Sequence, residues 1–153
     1  MNFSAKTEYG VRLMVELGRH GGGQPRPTSL KAIAEAERLP LSYLEHVVAD
    51  LKRAGLVVAT RGAHGGYYLA RPAGEISMED VVSALEGRIA PMECFVSLPT
   101  QHVACSHEAD LGRACATKLL WTRVQGGVIK ALQGTTLADL VEFSESHAPV
   151  AAA

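Results

Sequence analysis

Residues 41–70, LSYLEHVVADLKRAGLVVATRGAHGGYYLA, decide the fold. Leu41, Leu44, Val47, Val48 and Leu51 recur at helical spacing and leave one apolar face. Gly55 ends that helix at little cost, because glycine tolerates positive φ. A short β run, Leu56 to Thr60, follows; then come the turn Arg61-Gly62-Ala63-His64-Gly65-Gly66 and a second β run, Tyr67 to Leu69. Helix, then hairpin with a basic, glycine-rich tip, is the layout of a winged helix-turn-helix, which sets one helix in a DNA groove and a loop beside it. The plainer alternative is an ordinary αβ-hairpin.

On the N-terminal side, residues 3–20 read as a helix with Phe3, Tyr9, Leu13, Val15 and Leu17 inward, ended by Gly21-Gly22-Gly23 and two prolines. Thr28 or Ser29 can cap a short helix, Leu30 to Ala36, with Leu30, Ile33 and Ala34 inside. Arg38 to Leu41 then turn into the long helix. On the C-terminal side, Ser77 caps a helix from Met78 to Leu85, with Glu79 and Asp80 in its first turn, where the helix dipole favours acids. Residues 87–112 contain Pro91 and Pro99, have no sustained periodicity and read as a long loop. A last long helix is predicted from about Ala114 to Leu132, then a short one near Leu137 to Phe143, then a frayed SHAPVAAA tail.

With 153 residues, 47% hydrophobic and 20% charged, the chain can bury a real core and is globular rather than disordered. The first residues, MNFSAKTEYG, are polar rather than a secretory leader, and no apolar run approaches bilayer length, so a cytoplasmic location away from membranes is expected. The net charge of −1 hides an asymmetry. Residues 1–71 hold ten Lys/Arg against six Asp/Glu, and residues 72–153 hold five against ten. A basic N-terminal half can attract phosphates while the acidic half faces away.

Cys94, Cys105 and Cys115 are the only cysteines, and they gather in or just beyond the long loop. Thiolates are preferred ligands of iron–sulfur clusters and zinc because the soft anion donates well to those metals. The alternative is three small buried hydrophobes. Spacers of ten and nine residues match no ferredoxin or zinc-finger pattern. No phosphate-binding loop, zinc-protease motif or nucleophile elbow is present, so nothing points to an enzyme.

Several stretches resemble the winged-helix repressors that sense iron–sulfur status, nitric oxide or redox state, such as IscR and NsrR. The matching segments are FSAKTEYGVRLMVEL, LSYLEHVVADLKRAGLV, TRGAHGGYYLAR and ISMEDVVSALEG, with CATKLLW matching more loosely; the resemblance as a whole spans roughly residues 2–143. The resemblance implies a homodimer with crossing C-terminal helices, bound to a palindromic operator in double-stranded DNA. It implies a mainly α fold with a small β-hairpin wing: a winged helix-turn-helix domain over residues 1–87, a cysteine-containing cluster-binding loop over 88–113, a dimerisation helix and short C-terminal helix over 114–143, and a tail over 144–153. It makes Cys94, Cys105 and Cys115 cluster ligands. The fourth position is filled in relatives by an N-terminal acid of the other subunit, which matches Glu8, or by a histidine three residues after the third cysteine, where this chain has Lys118. Glu8, supplied across the dimer, is therefore the expected fourth ligand, with His102 and His107 as substitutes. Relatives space the three cysteines more closely; a [4Fe–4S] cluster fits three thiolates and one carboxylate slightly better, and [2Fe–2S] stays open. A metal-free repressor in which these cysteines form disulfides is the competing reading.

For DNA contact the exposed side of the helix beginning at Leu41 presents Ser42, Tyr43, Glu45 and His46, with Leu44 and Val47 inward. Serine and tyrosine suit phosphates, and glutamate can accept from cytosine N4. Arg61 at the wing suits a narrow, A·T-rich minor groove, and Gly65 and Gly66 would let the wing backbone approach closely. Arg12, Lys52 and Arg53 are further phosphate candidates. Leu119, Leu120, Val124, Val128, Ile129 and Leu132 form an apolar stripe on the last long helix. Trp121 lies at its cysteine end, and Gly126-Gly127 would permit close helix crossing.

Overall fold

The computed structural model describes residues 3–21, 26–90 and 115–147. The N-terminal part holds α1 (Ala5–His20), α2 (Leu30–Glu37) and α3 (Leu41–Arg53), then the strands β1 (Val57–Thr60) and β2 (Gly66–Leu69). After a 3-10 turn at Ala73–Glu75 come α4 (Met78–Glu86), α5 (Ala116–Gln133) and α6 (Leu137–Ser146). β1 and β2 pair antiparallel, Val57 opposite Leu69 and Thr60 opposite Gly66. This is the mainly helical, winged architecture the sequence predicts.

The helices α1 to α4 are amphipathic and turn their apolar stripes to one core, built from Leu13, Met14 and Leu17 of α1, Leu30 and Ile33 of α2, Leu44, Val47, Val48 and Leu51 of α3, and Val81 and Leu85 of α4. Ser29 caps α2 by accepting from the Ala32 N–H at 3.1 Å. Ser77 and Asp80 form a reciprocal capping box on α4, and Thr136 and Asp139 form another on α6.

The start of α1 is capped differently. Ser4 occupies its N-cap position but its side chain accepts no backbone N–H; instead Glu86, at the end of α4, receives the Ser4 N–H at 2.7 Å, the Ser4 hydroxyl at 2.6 Å and the Thr7 hydroxyl at 2.5 Å. These donors hold the Glu86 carboxyl below the usual range for glutamate. Lys6 adds a second tie, reaching Asp50 of α3 at 2.5 Å and the Leu85 carbonyl at 3.1 Å.

α5 behaves unlike the rest: none of its residues is buried. It touches the N-terminal part through Leu132, which packs against the core, and through polar contacts, with Gln125 donating to the Ile89 carbonyl at 2.7 Å and Gln133 to Glu79 at 2.8 Å. α6 returns to the core. The Leu137 N–H bonds the Ile76 carbonyl at 2.8 Å, the Met78 N–H bonds the Thr135 carbonyl at 2.8 Å, and Leu137 is fully buried. A Cβ on Gly18 of α1 would stand 2.7 Å from Val141 of α6, so glycine is what lets the two helices meet. Within the segment expected to form the dimerisation unit, α5 thus leaves most of its apolar stripe uncovered while α6 packs on the N-terminal core.

Several local expectations are corrected. Phe3 is 45% exposed rather than inward, because α1 begins at Ala5 and Phe3 precedes it, while Met14 is buried in its place. β1 starts at Val57, one residue late, and α2 runs on to Glu37. Residues 144–146, expected to fray, are helical, and His147 stacks on Phe143 at 4.2 Å. Most of the expected long loop, residues 91–112, lies outside the described residues, as does the tail from 148 onward.

Candidate nucleic-acid interface

The turn between α2 and α3 is three residues long and depends on Arg38, which adopts the left-handed conformation at φ 54° and ψ 45°. Its N–H reaches the Ala34 and Glu35 carbonyls, and the Leu39 N–H bonds Ala34 at 2.9 Å, closing the end of α2 as glycine usually does. Pro40 then opens α3, where no side chain caps the helix. The Tyr43 and Leu44 N–H groups both bond the Pro40 carbonyl at 3.1 Å, and this end of α3 is the positive end of its dipole, which favours an anion such as phosphate.

Along α3 the expected division holds. Ser42, Tyr43, Glu45 and His46 are exposed, while Leu44 and Val47 are fully buried and fix the helix's rotation about its axis. Tyr43 is braced by Tyr9 of α1, ring centroids 5.3 Å apart and planes at 80°. That contact joins residues 34 positions apart and has no signature in the local pattern.

The hairpin tip, Arg61 to His64, is exposed and projects its cationic side chain to solvent. The two glycines behind it serve the fold itself. A Cβ on Gly65 would collide with the Thr60 carbonyl across the turn. A Cβ on Gly66 would lie 2.5 Å from the Thr28 carbonyl oxygen, because Thr28 pairs with Tyr67 through bonds of 2.9 and 2.8 Å and forms a one-residue third strand. Close approach is indeed their purpose, but the partner the structure shows is this chain's own backbone. The link before α2 is thereby stitched to the wing.

The further phosphate candidates differ from one another. Lys52 is exposed on the last turn of α3. Arg53 is exposed and pairs with Asp50 at 2.5 Å, and together with Lys6, the stronger influence, it lowers the Asp50 carboxyl from its ordinary range. Arg12 is engaged within the fold: it grips the Glu37 carboxylate at 2.8 Å and the Glu37 carbonyl at 2.5 Å, tying α1 to the end of α2.

Of the cysteines, Cys115 is the half-buried N-cap residue of α5, its sulfur 2.9 Å from the Thr117 hydroxyl. Lys118 and Trp121 follow on the first turns of α5, Lys118 exposed and Trp121 half-buried. Cys94, Cys105, His102 and His107 lie outside the described residues. Glu8 stands on the outer face of α1, its side chain 67% exposed, with Arg12 at 3.9 Å. Among the described residues no three His, Cys, Asp or Glu side chains are gathered as a metal site. No helix among them is long and apolar enough to cross a membrane.

Comparison with known proteins agrees with this geometry. The family model Rrf2, described as an iron-dependent transcriptional regulator, matches residues 3–143. The regulator CymR of Bacillus subtilis is 37% identical over 148 residues, covering 96% of this chain and 94% of its own length. The structure of CymR, the global cysteine regulator of B. subtilis, superposes with a TM-score of 0.73 over 94% of this chain and 98% of that one. IscR of T. potens superposes with a TM-score of 0.74 at 34% identity, covering 100% of this chain and 94% of that one. The oxidized form of Staphylococcus aureus CymR gives 0.67 at 37% identity, covering 93% and 97%. These relatives are transcriptional regulators rather than enzymes.

Proposed function

Because the chain belongs to the Rrf2 family of DNA-binding transcriptional regulators, we propose that it is a homodimeric repressor whose operator affinity is set by an iron–sulfur cluster. The observation that carries the DNA half is the face of α3: four exposed polar or aromatic side chains beside a cationic wing, on a helix whose other side is buried in the core. Ser42 and Tyr43 reach phosphates, Glu45 and His46 reach base edges, and Arg61 enters the adjoining minor groove. Gly65 and Gly66 keep that wing compact. Lys52 and Arg53 add backbone charge, while Arg12 contributes by fixing α2. Acting on DNA, the protein works in the cytoplasm.

The bare stripe on α5 supports a second copy as the partner. Leu119 is 61% exposed and Leu120 56%, with Trp121, Val124, Val128 and Ile129 only partly covered, while Leu132 packs on this chain's own core. An apolar face of that size on a helix projecting from the core calls for an equivalent face, and two copies related by a twofold axis match a palindromic operator.

The donor chemistry fits an iron–sulfur cluster. Cys94, Cys105 and Cys115 supply three soft thiolates, and Cys115 stands where the α5 dipole favours an anionic sulfur. Glu8 of the neighbouring protomer supplies a fourth, harder oxygen; its exposure on α1 is compatible with reaching another subunit. A bound [4Fe–4S] or, alternatively, [2Fe–2S] cluster would supply a centre that reacts with nitric oxide, oxygen or cellular reductants. Glu8 lies one turn before Arg12, which grips α2 through Glu37, so a change at Glu8 reaches the helix preceding the recognition helix. If Glu8 ligates a cluster across the dimer, its release would also loosen one protomer against the other and alter the spacing of the two α3 helices.

The test is anaerobic purification with iron and sulfide determination, an absorption spectrum, and operator affinity with and without cluster over a range of salt. A coloured, iron-containing protein whose two forms differ in affinity is expected, and Glu8→Ala should weaken cluster retention. Equal affinity of both forms at every salt concentration refutes the sensing mechanism. Similarity to a CymR whose oxidized form has been crystallised favours one second reading, a metal-free switch in which Cys94, Cys105 or Cys115 forms disulfides. A colourless protein with thiol-dependent operator binding would establish it instead.

A further inference from the structure

We propose that Tyr9 is a positioning residue for DNA recognition: its ring, anchored to the core by α1, holds the Tyr43 ring edge-on and so sets where the Tyr43 phenol meets the DNA backbone. This rests on the reading that the exposed face of α3 meets DNA. The two rings are 5.3 Å apart and nearly perpendicular, the geometry in which the edge of one ring meets the face of another favourably. Tyr9 is half-buried and packs on the core, whereas Tyr43 is 37% exposed in the first turn of α3. One ring is therefore fixed by the fold and the other is free to touch a ligand.

The brace is rigid for a reason found at the next residue. A Cβ on Gly10 would overlap Leu85 and stand 3.3 Å from Val47 of α3, so α1 and α3 cross at van der Waals contact. The Lys6–Asp50 pair locks the same two helices at 2.5 Å. Close packing of α1 on α3 resists sliding of Tyr9, and the Tyr9 ring confines Tyr43 on the side facing it. An unbraced tyrosine at this exposure would be immobilised only on binding, which weakens association.

The experiment uses the full-length protein and the tightest-binding duplex it selects from a randomised library. Affinity is measured for wild type, Tyr9→Phe, Tyr9→Leu, Tyr43→Leu and the Tyr9→Leu/Tyr43→Leu pair, well below the lowest melting temperature of the set. Tyr9→Phe keeps the ring and should bind as wild type. Tyr9→Leu keeps apolar packing without the ring and should bind about three- to tenfold more weakly. Tyr43→Leu should lose at least as much, and the pair should lose no more than Tyr43→Leu alone, because the brace acts only through Tyr43. Should Tyr9→Leu fail to fold, Tyr9→Met takes its place. Wild-type affinity for Tyr9→Leu, or fully additive losses, with Tyr43→Leu still impaired, overturns the brace and leaves the interface standing. Wild-type affinity for Tyr43→Leu overturns the interface at this residue and the brace with it.

Discussion

Replacing Gly66 by alanine tests the docking of the wing. The added methyl carbon would lie 2.5, 2.6 and 2.8 Å from the O, C and N atoms of Thr28, all of them backbone atoms that cannot rotate away. Room can be made only by pushing Thr28 off β2, which breaks its bonds of 2.9 and 2.8 Å with Tyr67. Each such bond contributes about 1 kcal/mol net, so the loss is about 2 kcal/mol. Alanine lowers the entropy of the unfolded chain and returns about 0.5 kcal/mol of this. A net loss of about 1.5 kcal/mol corresponds to a fall in melting temperature of about 3–6 °C for a chain of this size. Circular dichroism melts of Gly66→Ala should show that fall. Gly74→Ala, where a Cβ meets nothing within 4 Å, keeps the same gain from the unfolded chain without a clash, so it should melt at or slightly above wild type and serves as the control. Operator affinity of the folded Gly66→Ala protein should drop as well, since the wing carrying Arg61 loses its attachment to the link before α2. Melting of Gly66→Ala and Gly74→Ala within about 1 °C of each other would refute the reasoning.

Arg38 holds a left-handed conformation that glycine adopts more readily, so Arg38→Gly should stabilise the protein by up to about 1 kcal/mol, read as a higher denaturant midpoint at unchanged slope. Acid should destabilise through Asp50 and Glu86. Both carboxyls are held below their ordinary values of 3.8 and 4.5, so their contribution is complete above those values and is lost as pH falls through the lower, folded-state ones. Thermal melts should thus be flat above about pH 5 and fall below it, and Glu86→Gln should flatten part of that fall; an unchanged acid limb in the variant contradicts the assignment. Leu120→Glu, on the 56%-exposed face of α5, should shift the protein to monomer in sedimentation while leaving its monomeric fold intact, and a persistent dimer would contradict the proposed interface.

The candidate interface was legible because its determinants are local. Leu44, Val47, Val48 and Leu51 define the buried side of α3 by spacing alone, which leaves Ser42, Tyr43, Glu45 and His46 outside. Ser77 and Asp80 announce a helix start by a capping motif of four residues. The hairpin follows from two β runs around a glycine-rich turn. Even the solitary stripe on α5 was visible, since exposure of Leu119 and Leu120 in a single chain changes nothing in their periodicity.

Other features required the folded backbone. Arg38 falls in the turn the sequence predicts, but its left-handed conformation, which closes α2, appears only in the folded backbone. Arg12 looks like a phosphate ligand and instead grips Glu37. Glu86 ends one helix and caps another 82 residues away, Thr28 adds a strand to a hairpin it precedes, and Tyr9 braces Tyr43. The chain by itself thus determined which residues form helices, which form the wing, and which face of α3 is free, because periodicity and capping act over one or two turns. Only the tertiary structure decided what each surface side chain and glycine is for, because those roles depend on which distant backbones the packed core brings within a few ångströms of one another.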